Sequence, residues 1–127
     1  MEFGNDSAGE DMTTREFYDQ TGGNYGEVIR RLQDEKRVAR FVKLFKKDPG
    51  FEELEMSLTQ GDAAAAFRAA HTLKGVCLNL GFDRLFNHVN DVTELLRGGD
   101  TVRAQEEMPP LRECYREIIE AIDILQL

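Results

Sequence analysis

From Thr13 onward every apolar stretch of this 127-residue chain recurs at helical spacing, and none alternates as a half-buried strand would. Tyr25, Val28, Ile29 and Leu32 share one face, as do Val38, Phe41, Val42 and Phe45, then Phe51, Leu54 and Leu58. Further along, Leu85, Val89, Val92 and Leu96 form a stripe, followed by Leu111, Cys114, Tyr115, Ile118, Ile122 and Leu125. The breaks between these runs carry helix start and stop residues. Thr13 with Glu16 makes a capping box; Asn24, Asp48, Asp62 and Asp83 are placed as N-caps; and the glycines at 22–23, 61, 81 and 98–99 are placed as stops. Pro109 and Pro110 predict a bend in the last segment. The helix over 62–81 and the one after it are joined by so short a connection that they should run antiparallel. The expectation is an all-α bundle of four main helices with short additional N-terminal helices as a cover.

One such bundle matches the length, which supports a single core and not two. The balance of 41% apolar and 31% charged residues is that of a globular helical chain. No apolar run approaches the roughly 20 residues that span a bilayer, and no basic-then-apolar leader opens the sequence. A cytoplasmic protein that does not engage a membrane is therefore expected, and a monomer, since one bundle can bury its own stripes. A net charge of −8 argues against nucleic acid as partner. Residues 1–11 hold Glu2, Asp6, Glu10 and Asp11 and no basic residue, so the net charge from Met12 onward is −4. Residues 1–12 are expected to be a flexible acidic extension and 13–127 the domain. Cys77 and Cys114 lie within helical patterns without metal-type spacing, and read as reduced, buried small hydrophobes.

The helix over 62–81 poses a sharper question, because its stretch "AAHTLKGVCLNLG" holds one of only two histidines and, four positions later, a glycine. On a wheel of about 100° per residue, Ala66, Ala69, Leu73, Val76 and Leu80 gather as the buried stripe, with Cys77 beside them. His71 points the other way, sharing its face with Phe67, Arg68, Lys74, Gly75 and Leu78. Glycine inside an exposed helix costs about 1 kcal/mol relative to alanine, so Gly75 calls for a reason, and clearing the approach to the imidazole is one. A neutral imidazole is a nucleophile whose ordinary pKa, near 6.5, leaves it mostly unprotonated at cytoplasmic pH. An ammonium at Lys74 could partly neutralise a phosphoryl group accepted there. His88, on another helix with no carboxylate or thiol at ligand spacing, reads as a surface histidine.

"HTLKGVCLNLG" closely resembles the signature of histidine-containing phosphotransfer (HPt) domains, through His71, Leu73, Lys74, Gly75, Leu80 and Gly81. The resemblance, extending over roughly residues 13–127, implies an antiparallel up-and-down four-helix bundle that relays a phosphoryl group between aspartates of receiver domains. It implies His71 as phospho-acceptor, Lys74 as a holder of phosphoryl oxygens and Gly75 as the opening to the imidazole. A polar residue on the next helix, often glutamine, orients the imidazole in the family. Thr93 stands at that position here and is shorter, with Asn90 as a substitute and Arg97 as a second cation on the same side. Phe67, Arg68 and Leu78 are expected to dock a receiver domain. The partners implied are receiver domains of a hybrid sensor histidine kinase and of a response regulator. No cofactor is implied, magnesium belonging to the receiver.

A phosphocarrier is thus favoured over a self-contained kinase, for which no glycine-rich phosphate loop after a strand is present. The alternative is an HPt-like adaptor that binds a receiver without carrying phosphate; the outward glycine speaks against it. A hydrolase with His71 as base lacks a serine or cysteine nucleophile on the same face.

Overall fold

The computed structural model describes residues 12–126. The acidic stretch 1–11 lies outside them. Met12, assigned by sequence to the extension, belongs to the fold: it is buried, its N–H donates to the Ile124 carbonyl at 2.9 Å, and its own carbonyl accepts from Gln126 at 2.6 Å.

The local start signals act as their chemistry dictates. Helix α1 (Thr14–Thr21) opens on a complete capping box, with the Glu16 N–H donating to Thr13 Oγ1 at 3.1 Å and the Thr13 N–H donating to Glu16 Oε1 at 2.9 Å. Asn24 caps α2 (Tyr25–Leu32), and Asp34 caps α3 (Glu35–Leu44), which tightens into a 3-10 turn over Phe45–Lys47. Asp48 accepts from the Gly50 N–H at 2.9 Å and so serves the first turn of α4 (Gly50–Thr59). Asp62 caps α5 (Ala63–Leu80) through the Ala65 N–H, and α6 (Asp83–Arg97) follows after Gly81.

Two expectations about helix ends are corrected. Asp83 does not cap α6. It is the first helical residue, after Phe82, and makes no cap hydrogen bond; its charge instead sits at the positive end of the helix dipole. Pro109 and Pro110 do not bend a helix either. The chain forms α7 (Thr101–Glu106) and then α8 (Met108–Asp123), with the prolines in the first turn of α8, where a missing N–H costs nothing.

Helices α4, α5, α6 and α8, the last preceded by the short α7, make the four-helix bundle, and the fold is all-α as the periodicity requires. Helix α5 packs most extensively, against α4 on one side and α6 on the other. Contacts between α4 and α8 close the bundle: the Phe51 and Tyr115 rings stack with centroids 4.0 Å apart, and Arg112 pairs with Glu55 at 2.7 Å. Helix α1 crosses α8 and α3, burying Phe17 and Tyr18 against Phe82. Cys77 and Cys114 are buried free thiols. Among the described residues no helix is long and apolar enough to cross a membrane.

The buried side of α5 is rotated from the stripe read off the wheel. It runs through Ala66, Ala69, Ala70, Leu73 and Cys77, while Val76 and Leu80 are only half-buried. Both line a cleft of about 590 Å³ shared with Leu32, Phe41 and Leu44. Of the apolar face expected over 35–47, Val38, Val42 and Phe45 are buried but Phe41 is 45% exposed, and Leu44 beside it is 58% exposed. Their position follows from the packing: α2 and α3 leave a gap over this side of α5, which α4 and α6 do not fill.

Candidate functional site

His71 lies near the middle of α5 and is exposed. Its helix is held firmly on both flanks, so the imidazole projects from a rigid rod, not from a loop. Gly75 follows one turn later and is exposed as well. A methyl group built there would meet nothing within 4 Å, and its backbone is ordinary right-handed helix. No neighbour inside the molecule therefore demands glycine at 75. The contrast with Gly81 is sharp: there φ is +69° and a methyl would fall 2.4 Å from Val28 Cγ2.

Lys74 is half-buried and donates from Nζ to Asn90 Oδ1 at 3.2 Å. That bond places the ammonium between α5 and α6 instead of leaving it free in solvent. Asn90 is thus engaged with Lys74, and not with the imidazole as expected of a substitute orienting group. Thr93 is fully buried and its hydroxyl donates back to the Val89 carbonyl at 2.7 Å, a bond local to α6. Neither hydrogen bond involves the imidazole.

Arg97 stands on the expected side, in contact with Phe67. Its guanidinium carbon lies 5.1 Å from the Phe67 ring centroid, and its Nε and NH2 nitrogens donate to the two Glu94 oxygens at 3.2 and 3.3 Å. The bonded Arg97 guanidinium holds the Glu94 carboxyl below the usual carboxylate range, and the charges of Arg97 and Lys74 add to the effect. Two cations and one carboxylate thus surround the α5–α6 seam beside His71. The Phe67 ring in turn lies against the His71 imidazole, with centroids 5.8 Å apart and planes inclined by 19°.

The expected docking residues separate. Phe67 is half-buried between His71 and Arg97, so little of its ring faces outward. Arg68 is exposed but lines a shallow groove with Glu53 and Ser57 of α4. Leu78 is 61% exposed, and Arg31 of α2 comes up beside it, donating to the Asn79 carbonyl at 2.7 Å. His88 is half-buried on α6; among the described residues no three His, Cys, Asp or Glu side chains gather as a metal site.

Glu94 and the Phe67–His71 contact escaped the sequence reading, although both carried a signal. Glu94 precedes Arg97 by three residues and Phe67 precedes His71 by four, the two spacings at which helical side chains meet.

Comparison with curated proteins and with solved structures gives no match to the chain. Against family models, residues 49–124, which run from the start of α4 through α8 and include every residue of the site, match the Hpt domain. Hpt domains take part in phosphotransfer in two-component phosphorelays and interact with receiver domains. The match covers more than half of the sequence and agrees with the all-α bundle, and the chain belongs to the Hpt domain family.

Proposed function

We propose that this chain is a phosphorelay intermediate whose His71 accepts a phosphoryl group from a receiver phospho-aspartate and passes it to a second receiver aspartate. The observation that carries the reading is Gly75. A helix-weakening residue stands one turn from an exposed imidazole, and nothing inside the molecule needs it. Space kept open there serves something that arrives from outside.

The chemistry balances without a further reagent. The lone pair of the unprotonated ring nitrogen attacks phosphorus, the bond from phosphorus to the aspartyl oxygen breaks, and the carboxylate leaves with that electron pair. The other ring nitrogen keeps its proton. Transfer to the second receiver is the same step reversed, with its aspartate as nucleophile. Lys74, steadied by Asn90, supplies positive charge to the phosphoryl oxygens, and Arg97 lies across the same seam as a second cation. No cofactor of its own enters this scheme; magnesium acts in the receiver. The setting is the cytoplasm and the acting species a monomer, with receivers of a hybrid sensor kinase and of a response regulator as donor and acceptor.

Docking on this reading involves Leu78 and the exposed apolar edge that continues through the cleft to Phe41 and Leu44. Charge supports it. Residues 25–47 carry eight Lys or Arg against three Asp or Glu, a net of +5 in a chain of −8. Such a segment favours an acidic partner surface and steers its approach. Arg68 is a rim contact.

The test is incubation with phosphorylated receivers followed by assay for acid-labile, base-stable label. Label is expected on the wild type and absent from His71→Gln. Label that persisted in His71→Gln would overturn the assignment. So would a wild type that binds several receivers but takes label from none, which is the behaviour of an adaptor.

A further inference from the structure

A phospho-acceptor imidazole must present a ring nitrogen in a fixed direction, yet an exposed histidine on a helix has several staggered rotamers open to it. The polar side chains nearest on α6 are committed elsewhere: Thr93 to the Val89 carbonyl, Asn90 to Lys74, Arg97 to Glu94. What meets the imidazole is an aromatic face, the Phe67 ring one turn earlier on α5. That ring is half-buried and has the Arg97 guanidinium over it, so it is held from the neighbouring helix.

We propose that Phe67 is the positioning residue of the His71 site, fixing the imidazole plane by stacking, and that Arg97 fixes Phe67 in turn through a cation–π contact. The proposal rests on the reading of His71 as phospho-acceptor. An offset stack with centroids at 5.8 Å and planes inclined by 19° is an attractive arrangement of two π systems. It differs from a hydrogen-bonded orienting group in its consequences. A hydrogen bond to one ring nitrogen selects a tautomer and occupies that nitrogen; a stack fixes the plane and leaves both nitrogens available. Removing the flat partner should therefore loosen the ring and slow transfer, without weakening the encounter with the receiver.

The experiment uses the full chain with Phe67→Leu, Phe67→Tyr and Arg97→Gln. Three quantities are read: the single-turnover transfer rate at saturating phosphorylated receiver, the receiver affinity, and the rotamer populations of His71 from its Hα–Hβ couplings by NMR. Phe67→Leu should lower the saturated rate roughly three- to tenfold, the scale of an aromatic pair, with unchanged affinity and with His71 couplings moved toward rotamer averaging. Phe67→Tyr should restore both. Arg97→Gln, at an exposed position and so safe for folding, should move the couplings in the same direction; they are the readout for this variant, since the same guanidinium also stands near the phosphoryl oxygens. A Phe67→Leu protein with normal couplings and rate, or with weakened receiver binding but a normal saturated rate, would overturn the proposal; the latter would make Phe67 a docking contact. The couplings are measured on unphosphorylated protein, so they decide the stacking role even if His71 takes no label.

Discussion

An alanine methyl at position 75 would touch nothing, and the helix there has ordinary geometry. Gly75→Ala should therefore stabilise the protein, by about 0.5–1 kcal/mol, since alanine loses less backbone freedom on folding and favours the helix. On the proposed function the same substitution should slow phosphotransfer, because the methyl would occupy space left open for an incoming receiver. A rise in Tm together with a fall in transfer rate is the expected pair of results. If the variant were more stable and transferred normally, Gly75 would have no part in access. Larger side chains extend the test, and Gly75→Leu should keep the fold and impair transfer more severely. At this scale the placement of the candidate residues was readable: His71, Lys74 and Gly75 lie within two turns of one helix, and helical spacing alone brings them near one another. The engagement of Lys74 by Asn90, and of Phe67 by Arg97, was not readable in detail, because each joins two helices whose relative rotation no local pattern reports.

The helix that bears His71 ends against the N-terminal cover. Tyr18 donates its hydroxyl to the Leu80 carbonyl at 2.6 Å, Asn24 donates its N–H to the Gly81 carbonyl at 2.8 Å, and Arg31 serves Asn79. These bonds satisfy carbonyls that a helix C-terminus otherwise leaves open. They also fix the end of α5 to α1 and α2, and thereby the length of helix on which the imidazole rides. Gly81 is the tight point, with its left-handed backbone and the Val28 methyl at 2.4 Å from any Cβ. Gly81→Ala should cost roughly 2–4 kcal/mol, combining left-handed strain with overpacking. Gly61 gives the control. Its φ is +72°, but a methyl there meets nothing within 4 Å, so Gly61→Ala should cost only the roughly 1–2 kcal/mol of backbone strain. Urea midpoints of the two variants separate the packing from the strain, and equal losses would show that the α2–α5 contact contributes nothing. Element ends were well read from sequence where one side chain accepts from an N–H three residues further on, as at Thr13, Asn24 and Asp62. Faces were read less well. Val76, Leu80 and Phe41 belong to apolar patterns, but how deeply each is buried depends on where α2 and α3 settle over α5, and the pattern does not contain that information.

Seen as one body, the domain buries three groups that ionise only in alkali, and the charges of Arg31 near Tyr18 and Arg84 near Cys114 offset the loss of water only in part. Burial pushes the Cys77 thiol well above its ordinary value near 9 and the Cys114 thiol up to about 11, while Tyr18, closed in by the cover helices, is raised from its ordinary value of 10 mainly by the same loss of water. In each case the native state holds its proton where the unfolded chain has released it. Below about pH 9 both states are protonated at the thiols and stability does not depend on them. Above that, the unfolded chain binds fewer protons than the native one, and stability must fall as pH rises. Each thiol contributes a slope of about 1.4 kcal/mol per pH unit, Cys114 until its native value near 11 is passed and Cys77 beyond it, with Tyr18 joining above pH 10. Against a domain stability of about 5–15 kcal/mol, the loss between pH 9 and 11 is enough to bring Tm down steeply. Cys114→Ala, which removes one of the three groups, should flatten the decline between pH 9 and 11 by about a third, whatever its own effect on stability at neutral pH. Thermal unfolding followed from pH 7 to 11 in both proteins decides the matter: a wild-type Tm that stayed level to pH 10.5, or a variant that fell as steeply, would mean that the thiols reach water without unfolding and that the packing between α5 and α8 is looser than the burial of Cys77 and Cys114 indicates.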